Sequence, residues 1–291
     1  MMKLQQSMTS ICLAILTIVP VALCQGSYTK IDEPDAVGFT TCSGVNSAGD
    51  IVGTYADSNG ILHGFLLSSG TYTTIDYPDS QTQLLGINDA GEIVGFANFT
   101  PPNGFVYNAS AQTFTPIDFP GADFTYPLAI NNSGKVVGYI TSNNAVSGFM
   151  VANSQYRRVV PLGAPNSYLY GISASGKAVG LVSTAKQTYN NFFFKAGTYS
   201  RVPISINDTY QTAAQGINSA GTAIVGFYLP DPPFGPHFGF LYDHDAPLQQ
   251  LNFPGATETL AFGVNDSVEV VGQFADSAGT HGFLWSPNTT H

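Results

Sequence analysis

His63 and His281 each stand directly before a Gly-Phe-Leu run, and each follows an aspartate within one short polar segment. The segments read Ala56-Asp57-Ser58-Asn59-Gly60 and Ala275-Asp276-Ser277-Ala278-Gly279. Two imidazoles with two carboxylates make a donor set suited to a divalent metal, provided that Asp57, His63, Asp276 and His281 converge. The competing reading is structural: Asp and Gly make a turn, and the histidine caps the strand that follows. That reading needs no convergence, so neither metal nor cofactor is expected. His237 in a Pro-rich loop and His244 between Asp243 and Asp245 have no motif around them and read as surface histidines.

Carboxylates can also act in pairs. A glycosidase holds two of them about 5–10 Å apart across the bond it cleaves. Asp32, Asp76 and Asp118 recur in Ile-Asp-x-Pro, which marks them as turn formers. Asp123, Asp231 and Glu258 do not recur, and they are the candidate catalytic acids. No Gly-x-Ser-x-Gly, phosphate loop or His-Glu-x-x-His occurs, so acyl transfer, nucleotide chemistry and zinc proteolysis have no support.

These residues are carried by a repeat. The segment Gly44-Val45-Asn46-Ser47-Ala48-Gly49 returns with variation from Gly86, Ala129, Gly171, Gly216 and Gly263. Successive starts are 42, 43, 42, 45 and 47 residues apart, the drift of one structural unit with elastic loops. Each unit reads as four short strands; in the second copy they are 83–88, 92–96, 104–107 and 114–119. Asn-x-x-Gly between the first two strands suits a type I turn followed by a left-handed glycine. The last copy has Val268 in place of that glycine, so its hairpin should be the loosest. The second strand carries adjacent apolar residues such as Ile93-Val94, which point to opposite faces and require cover on both. Gly95 and its equivalents follow, and are expected to let neighbouring sheets approach closely.

The ends of the array point to a closed ring. The last copy stops after its third strand, at Gly282-Phe283-Leu284-Trp285, whereas Gly26-Ser27-Tyr28-Thr29-Lys30-Ile31-Asp32 resembles a fourth strand. A ring in which the N-terminal strand completes the last blade leaves no open edge at the seam. The expected fold is therefore all-β, a six-bladed β-propeller of four-stranded blades in one domain from 25 to 291.

In such a ring the second-to-third loops and the blade-to-blade connections share one face, and these are the segments that vary. They carry Phe39, Phe124, Tyr126, Tyr168, Tyr210 and Phe234, the candidate ligand contacts, as well as Phe99, Tyr189 and Tyr228. A hydroxyl recurs four residues before each opening, at Thr40, Thr82, Thr125, Ser167, Thr212 and Thr259, and should pin the register. The residue before it varies between copies: Phe39, Gln81, Phe124, Asn166, Gln211 and Glu258. Variable aromatic and amide side chains on a rigid scaffold suit recognition of carbohydrate or protein. The alternative is that the rings fill gaps between blades.

Residues 1–24 stand apart: Lys3 precedes an apolar stretch from Ile11 to Leu23 that is short for a bilayer span, as in a signal peptide. Cleavage after Cys24 would leave Gln25 first, with no membrane span in the mature chain; a lipid anchor on Cys24 is the competing reading. Cys42 would then have no internal partner and reads as a small buried apolar residue. Asp, Glu, Lys and Arg make up 10% of the chain and the net charge is −10, which argues against nucleic acid or an anionic membrane as partner.

Gly-Ile-Asn-x-x-Gly-x-Ile-Val-Gly, followed by a loop and His-Gly-Phe-Leu, resembles the bacterial extracellular repeats known as the HAF family. The clearest copies run from Gly44 to Leu66 and from Gly263 to Leu284, with His63-Gly64-Phe65 and His281-Gly282-Phe283 at the characteristic triplet. Copy four departs most, with Asn191-Phe192-Phe193 there. The resemblance implies an exported repeat protein and carries no catalytic residues with it. The expectation is a secreted monomer that binds an extracellular glycan or protein without catalysis. A secreted carbohydrate-active enzyme and a structural envelope component are the alternatives.

Overall fold

The computed structural model describes residues 26–98, 104–183, 189–204, 206, 209–230, 235–244 and 246–288. The expected leader lies outside the described residues, as do Asp231 and Phe234. Among the described residues no helix is long and apolar enough to cross a membrane.

Six four-stranded antiparallel sheets form the ring. The chain starts with β1 (Gly26–Ile31). Blade 1 follows as β2 (Thr40–Val45), β3 (Ile51–Ala56), β4 (Leu62–Ser68) and β5 (Thr71–Ile75). Blade 2 is β6 (Thr82–Ile87), β7 (Glu92–Ala97), β8 (Gly104–Asn108) and β9 (Thr113–Ile117). Blade 3 is β10 (Phe124–Ile130), β11 (Val136–Ser142), β12 (Ala145–Ala152) and β13 (Gln155–Val159). Blade 4 is β14 (Asn166–Ile172), β15 (Ala178–Ser183), β16 (Tyr189–Lys195) and β17 (Thr198–Arg201). Blade 5 is β18 (Thr209–Ile217), β19 (Ala223–Pro230), β20 (Phe238–Asp243) and β21 (Gln249–Leu251). Blade 6 has β22 (Glu258–Val264), β23 (Val270–Asp276) and β24 (Gly279–Pro287), and β1 pairs with β24 as its fourth strand. The innermost strands touch in sequence and β22 meets β2, so the ring is closed as expected.

The core is divided into six layers, one at each blade interface. Phe65, Phe105, Phe149, Phe240 and Phe283 of the third strands are fully buried in them. Each such ring contributes about 1.5–3 kcal/mol by leaving water. This arrangement explains the adjacent apolar pairs, since both faces of every blade are covered by another blade.

Every innermost strand carries a β-bulge that the repeat pattern did not reveal. The pairing skips Ser43, Leu85, Leu128, Tyr170, Gln215 and Phe262. The bulge gives the second-strand glycines a role different from the expected one. A Cβ on Gly53 would stand 1.9 Å from Thr41 O and 2.7 Å from the Phe65 ring, both within its own blade. Blade-to-blade approach is instead made by the opening glycines: a Cβ on Gly44 would lie 3.0 Å from Gly86 Cα.

Asn46, Asn88, Asn131, Asn218 and Asn265 are buried, and each fixes its hairpin turn through its own side chain. Asn88 Oδ1 accepts from Ala90 N (3.0 Å) and Glu92 N (2.9 Å), and Asn88 Nδ2 donates to Asn131 O on the next blade (3.2 Å). The same blade-to-blade bond runs from Asn131 to Ser173 O (2.9 Å) and from Asn265 to Asn46 O (3.0 Å). The turn is thus both hairpin and ring clasp. Val268 closes the sixth turn with the same bond, its N donating to Asn265 O (3.0 Å), at a φ of 61°. That hairpin is strained rather than lacking contacts.

Copy four is displaced by one residue from the motif reading. Gly180 pairs with Phe192 as Gly53 pairs with Phe65, so its triplet is Asn190-Asn191-Phe192. Asn191 occupies the place of Gly64 or Gly148. Its Nδ2 donates to Thr212 Oγ1 (2.8 Å), and its Oδ1 accepts from Ala214 N (2.8 Å). Space for this side chain exists because Ala214 stands where the innermost strands of blades 2 and 4 have Leu84 and Leu169.

Candidate functional site

The recurring hydroxyl does pin each innermost strand to the blade before it. Thr82 Oγ1 accepts from Tyr77 N (2.8 Å), Thr125 Oγ1 from Phe119 N (3.0 Å) and Thr259 Oγ1 from Phe253 N (3.0 Å). The residues flanking it are thereby fixed at the inner lip of the variable face.

On blades 2 to 4 that lip is aromatic. Phe96 meets Tyr126 edge-on, with centroids 5.1 Å apart. Tyr126 stacks on Tyr139 at 4.7 Å and 23° between planes. Tyr139 meets Tyr168 edge-on at 5.2 Å, and Tyr168 stacks on Tyr170 at 5.9 Å and 7°. Phe124, 37% exposed, flanks Tyr126. All five residues of the run are half-buried, so each stays partly accessible to solvent. Burial above all, then the neighbouring Tyr126 and Tyr168, pushes the Tyr139 phenol up to about 12. Tyr139 therefore stays protonated and neutral at neutral pH.

Three of the expected aromatic contacts, Phe124, Tyr126 and Tyr168, are brought together here. Phe39 lies apart on blade 1, where it bridges Thr280. Tyr210 falls in β18, and Phe234 is outside the described residues. Phe96, Tyr139 and Tyr170 were missed because attention to loops overlooks strand interiors. Phe96 and Tyr139 directly follow the second-strand glycine, a position that varies between copies, and Tyr170 is the bulge residue of blade 4.

The two histidine clusters stay separate. His63 Nδ1 lies 2.7 Å from Asp76 Oδ2, with Asp57 at 3.8 Å from Nε2. His281 Nδ1 lies 2.8 Å from Asp32 Oδ1, with Asp276 at 3.2 Å from Nε2. Asp57 Oδ1 accepts from Asn59 N and Ile61 N (both 2.8 Å), and Asp276 Oδ1 accepts from Ala278 N (2.7 Å), which makes both turn formers. Backbone bonds, foremost from Ile61 and from Ala278, hold these two carboxyls below the ordinary range. Among the described residues no three His, Cys, Asp or Glu side chains are arranged to hold a metal ion.

The candidate acids are likewise dispersed. Asp123 accepts from Asn143 N (2.9 Å) beside blade 3, whereas Glu258 begins the innermost strand of blade 6 and pairs with His237. Two blades lie between them on either side of the ring, so they form no pair across one bond. The channel behind the lip is a cavity of about 80 Å³ lined by the bulge residues, including Leu85, Tyr170, Gln215 and Phe262, and by no carboxylate among the described residues. A second cavity of about 70 Å³ at the opposite mouth includes Asp89 and Asp266. Asp89 Oδ1 accepts from Ser47 N (2.8 Å), and Asp266 Oδ1 accepts from Ala220 N (2.8 Å), so both clasp neighbouring blades. Such volumes hold a few waters and no sugar ring. A ligand of that size must sit on the lip, outside the channel.

No family profile and no curated relative matches the chain. Solved structures match in fold. TolB from Acinetobacter baumannii superposes with a TM-score of 0.58 at 12% identity over 81% of this chain, which spans 63% of the length of that protein. An Aleuria aurantia lectin in complex with Fucalpha1-6GlcNAc gives 0.55 at 11% identity, covering 92% of this chain and 94% of that one. A gluconolactonase from Xanthomonas campestris gives 0.51 at 12% identity, with 87% of each chain covered. At these identities the likeness establishes the propeller and nothing finer.

Proposed function

We propose that this is a secreted, non-enzymatic propeller that binds an extracellular glycan on the aromatic lip of blades 2 to 4. One observation carries the reading: Phe96, Tyr126, Tyr139, Tyr168 and Tyr170 form an unbroken, half-exposed line of rings ending at the channel wall. Sugar rings present an apolar C–H face, and the electron-rich faces of tyrosines are suited to it, while the phenol groups suit the hydroxyls around it. Packing between blades does not account for the line, since none of these five rings belongs to a core cluster, whereas other half-buried rings such as Tyr77, Phe114 and Phe253 do. A glycan-binding propeller of matching length, the Aleuria lectin, is consistent with the fold serving such a task. Export of this protein rests on the leader-like residues 1–24 and on the HAF-type repeats.

The test is retention of the purified chain from Gln25 on a panel of neutral polysaccharides, with release of new reducing ends followed in parallel. Retention that falls about tenfold or more in Tyr139→Phe or Tyr168→Ala, without sugar release, supports the lip. Release of sugar ends, or retention indifferent to both substitutions, removes it.

A further inference from the structure

The net charge of −10 conceals a segregation. From 124 to 207 the sequence has no Asp or Glu, yet it holds seven of the nine Lys and Arg residues. Blades 3 and 4 therefore carry +7, and the remainder of the chain carries −17. Among the described residues none of Lys135, Arg157, Arg158, Lys177, Lys195 and Arg201 has a carboxylate within ion-pair distance. Three of them rest on aromatic faces instead: Arg157 over Phe194 at 5.0 Å, Arg158 over Phe119 at 5.4 Å and Lys177 over Phe193 at 3.7 Å. Burial, and then the nearby Lys195, hold the Lys177 ammonium below its usual range. This sector is short of anions.

Within it lies a recess. The outer strands of blade 4 border a shallow, open depression of about 480 Å³ lined by Asn190, Asn191, Phe192, Tyr199, Ser200 and Arg201. The Tyr199 ring, 38% exposed, is braced from behind by Phe192 at 5.9 Å and Phe194 at 5.1 Å. Arg201 pairs with Phe192 across the two strands, and Arg157 reaches over Phe194 from the neighbouring blade.

We propose that this outer recess of blade 4 binds an acidic polysaccharide through its sugar carboxylates. Tyr199 supplies the platform for a pyranose ring, the Arg201 guanidinium on the same strand face forks the carboxylate, and Asn190 meets the hydroxyls. Arg157 extends the cationic track toward blade 3. An acidic glycan fits better than nucleic acid because the depression offers one aromatic platform beside one guanidinium, the match for a single sugar carboxylate. A chain of net charge −10 also repels a duplex with one charge per about 1.7 Å more than a polymer with one charge per sugar. The site lies on the circumference of the ring, away from the aromatic lip, and stands independently of the reading given for that lip.

The experiment measures retardation by polygalacturonate, with dextran as neutral control and with double-stranded DNA in parallel. Retardation by polygalacturonate alone, weakening as salt rises, is expected. Arg201→Gln should lower the affinity about tenfold or more, Arg201→Lys should restore part of it, and Lys30→Gln, which removes a cation at the seam of blade 6, should leave it unchanged. Thermal melts of each variant separate lost binding from lost folding. Absence of retardation, equal retardation in Arg201→Gln, or a preference for DNA overturns the proposal. So does salt-reversible self-association without polymer that Arg201→Gln abolishes, because the sector would then be docking on the acidic blades of a second copy.

Discussion

His281 and Asp32, 249 positions apart in the chain, share a hydrogen bond of 2.8 Å between Nδ1 and Oδ1. It sits where β1, as the fourth strand of blade 6, hands the chain on to blade 1. On the other side of the imidazole, Asp276 Oδ1 lies 3.2 Å from Nε2. Asp32 also holds Lys30 Nζ at 3.0 Å. The residue that recurs as a turn former in Ile-Asp-x-Pro thus serves a second purpose: in blades 1 and 6 its carboxylate receives the histidine at the head of the third strand. A motif histidine that looked like a metal ligand is a fastening of the ring.

The seam carries its own reporter. Trp285 is the chain's single tryptophan, fully buried, and a Cβ on Gly26 would stand 2.2 Å from its ring. Removal of the chain through Ile31 uncovers that indole and leaves a β24 edge without a partner. The truncated protein should show red-shifted tryptophan emission and a broader, earlier urea transition than the chain from Gln25. Unchanged emission would mean that another segment covers Trp285.

Thr82 gives a second prediction. It is fully buried, and its Oγ1 accepts from Tyr77 N at 2.8 Å while donating to Ser80 O at 3.2 Å. Thr82→Val keeps the shape and leaves a backbone donor without its partner, at a cost of about 1–3 kcal/mol. Thr82→Ser keeps the hydroxyl and should cost less. Urea denaturation of the two variants decides the matter, and equal losses would show that the methyl group, not the hydroxyl, pins the strand.

The repeat made the ring legible because one unit must bury both faces, and only closure with the N-terminal strand supplies the missing partner. The hydroxyl pin was legible for a similar reason: Thr40, Thr82, Thr125, Ser167, Thr212 and Thr259 keep one chemistry amid varying neighbours. The bulge was not, since Ser43, Leu85, Leu128, Tyr170, Gln215 and Phe262 have no side-chain property in common. Its cause lies in backbone pairing. The lip was half legible for the same reason. Tyr126 and Tyr168 precede the bulge in equivalent places of neighbouring blades, but their contact through Tyr139 depends on the approach of two sheets, which no single strand's pattern contains.

Acid should loosen the seam in a defined window. The amide of Ala278 foremost, opposed by a little desolvation and aided by His281, keeps Asp276 below the ordinary carboxylate range. A carboxylate with a depressed folded pKa stabilises fully above the unfolded value, about 3.9, and loses that contribution as pH falls through the folded one. The difference in melting temperature between the native protein and Asp276→Ala should therefore be largest near neutrality and shrink steadily below about pH 4. A difference that stays constant with pH would assign the role of Asp276 to turn shape alone.

Val268 tests how strain is offset at the sixth hairpin. Its φ of 61° is left-handed like those of Gly49, Gly91, Gly134, Gly176 and Gly221, and falls just below their range of 72° to 81°. A β-branched residue there costs roughly 1–2 kcal/mol. Two gains oppose this: a less flexible unfolded chain, about 0.5–1 kcal/mol, and packing of the partly buried side chain on the layer between blades 5 and 6. Val268→Gly should accordingly change stability by less than about 1 kcal/mol, because relief of strain and loss of packing nearly cancel. Gly134→Val is the control, for a Cβ there meets nothing within 4 Å and gains no packing. It should destabilise by about 1 kcal/mol in the same denaturation assay. If Val268→Gly instead raises stability by more than that amount, the layer beneath it gives no compensation, and the sixth turn is simply the weakest clasp in the ring.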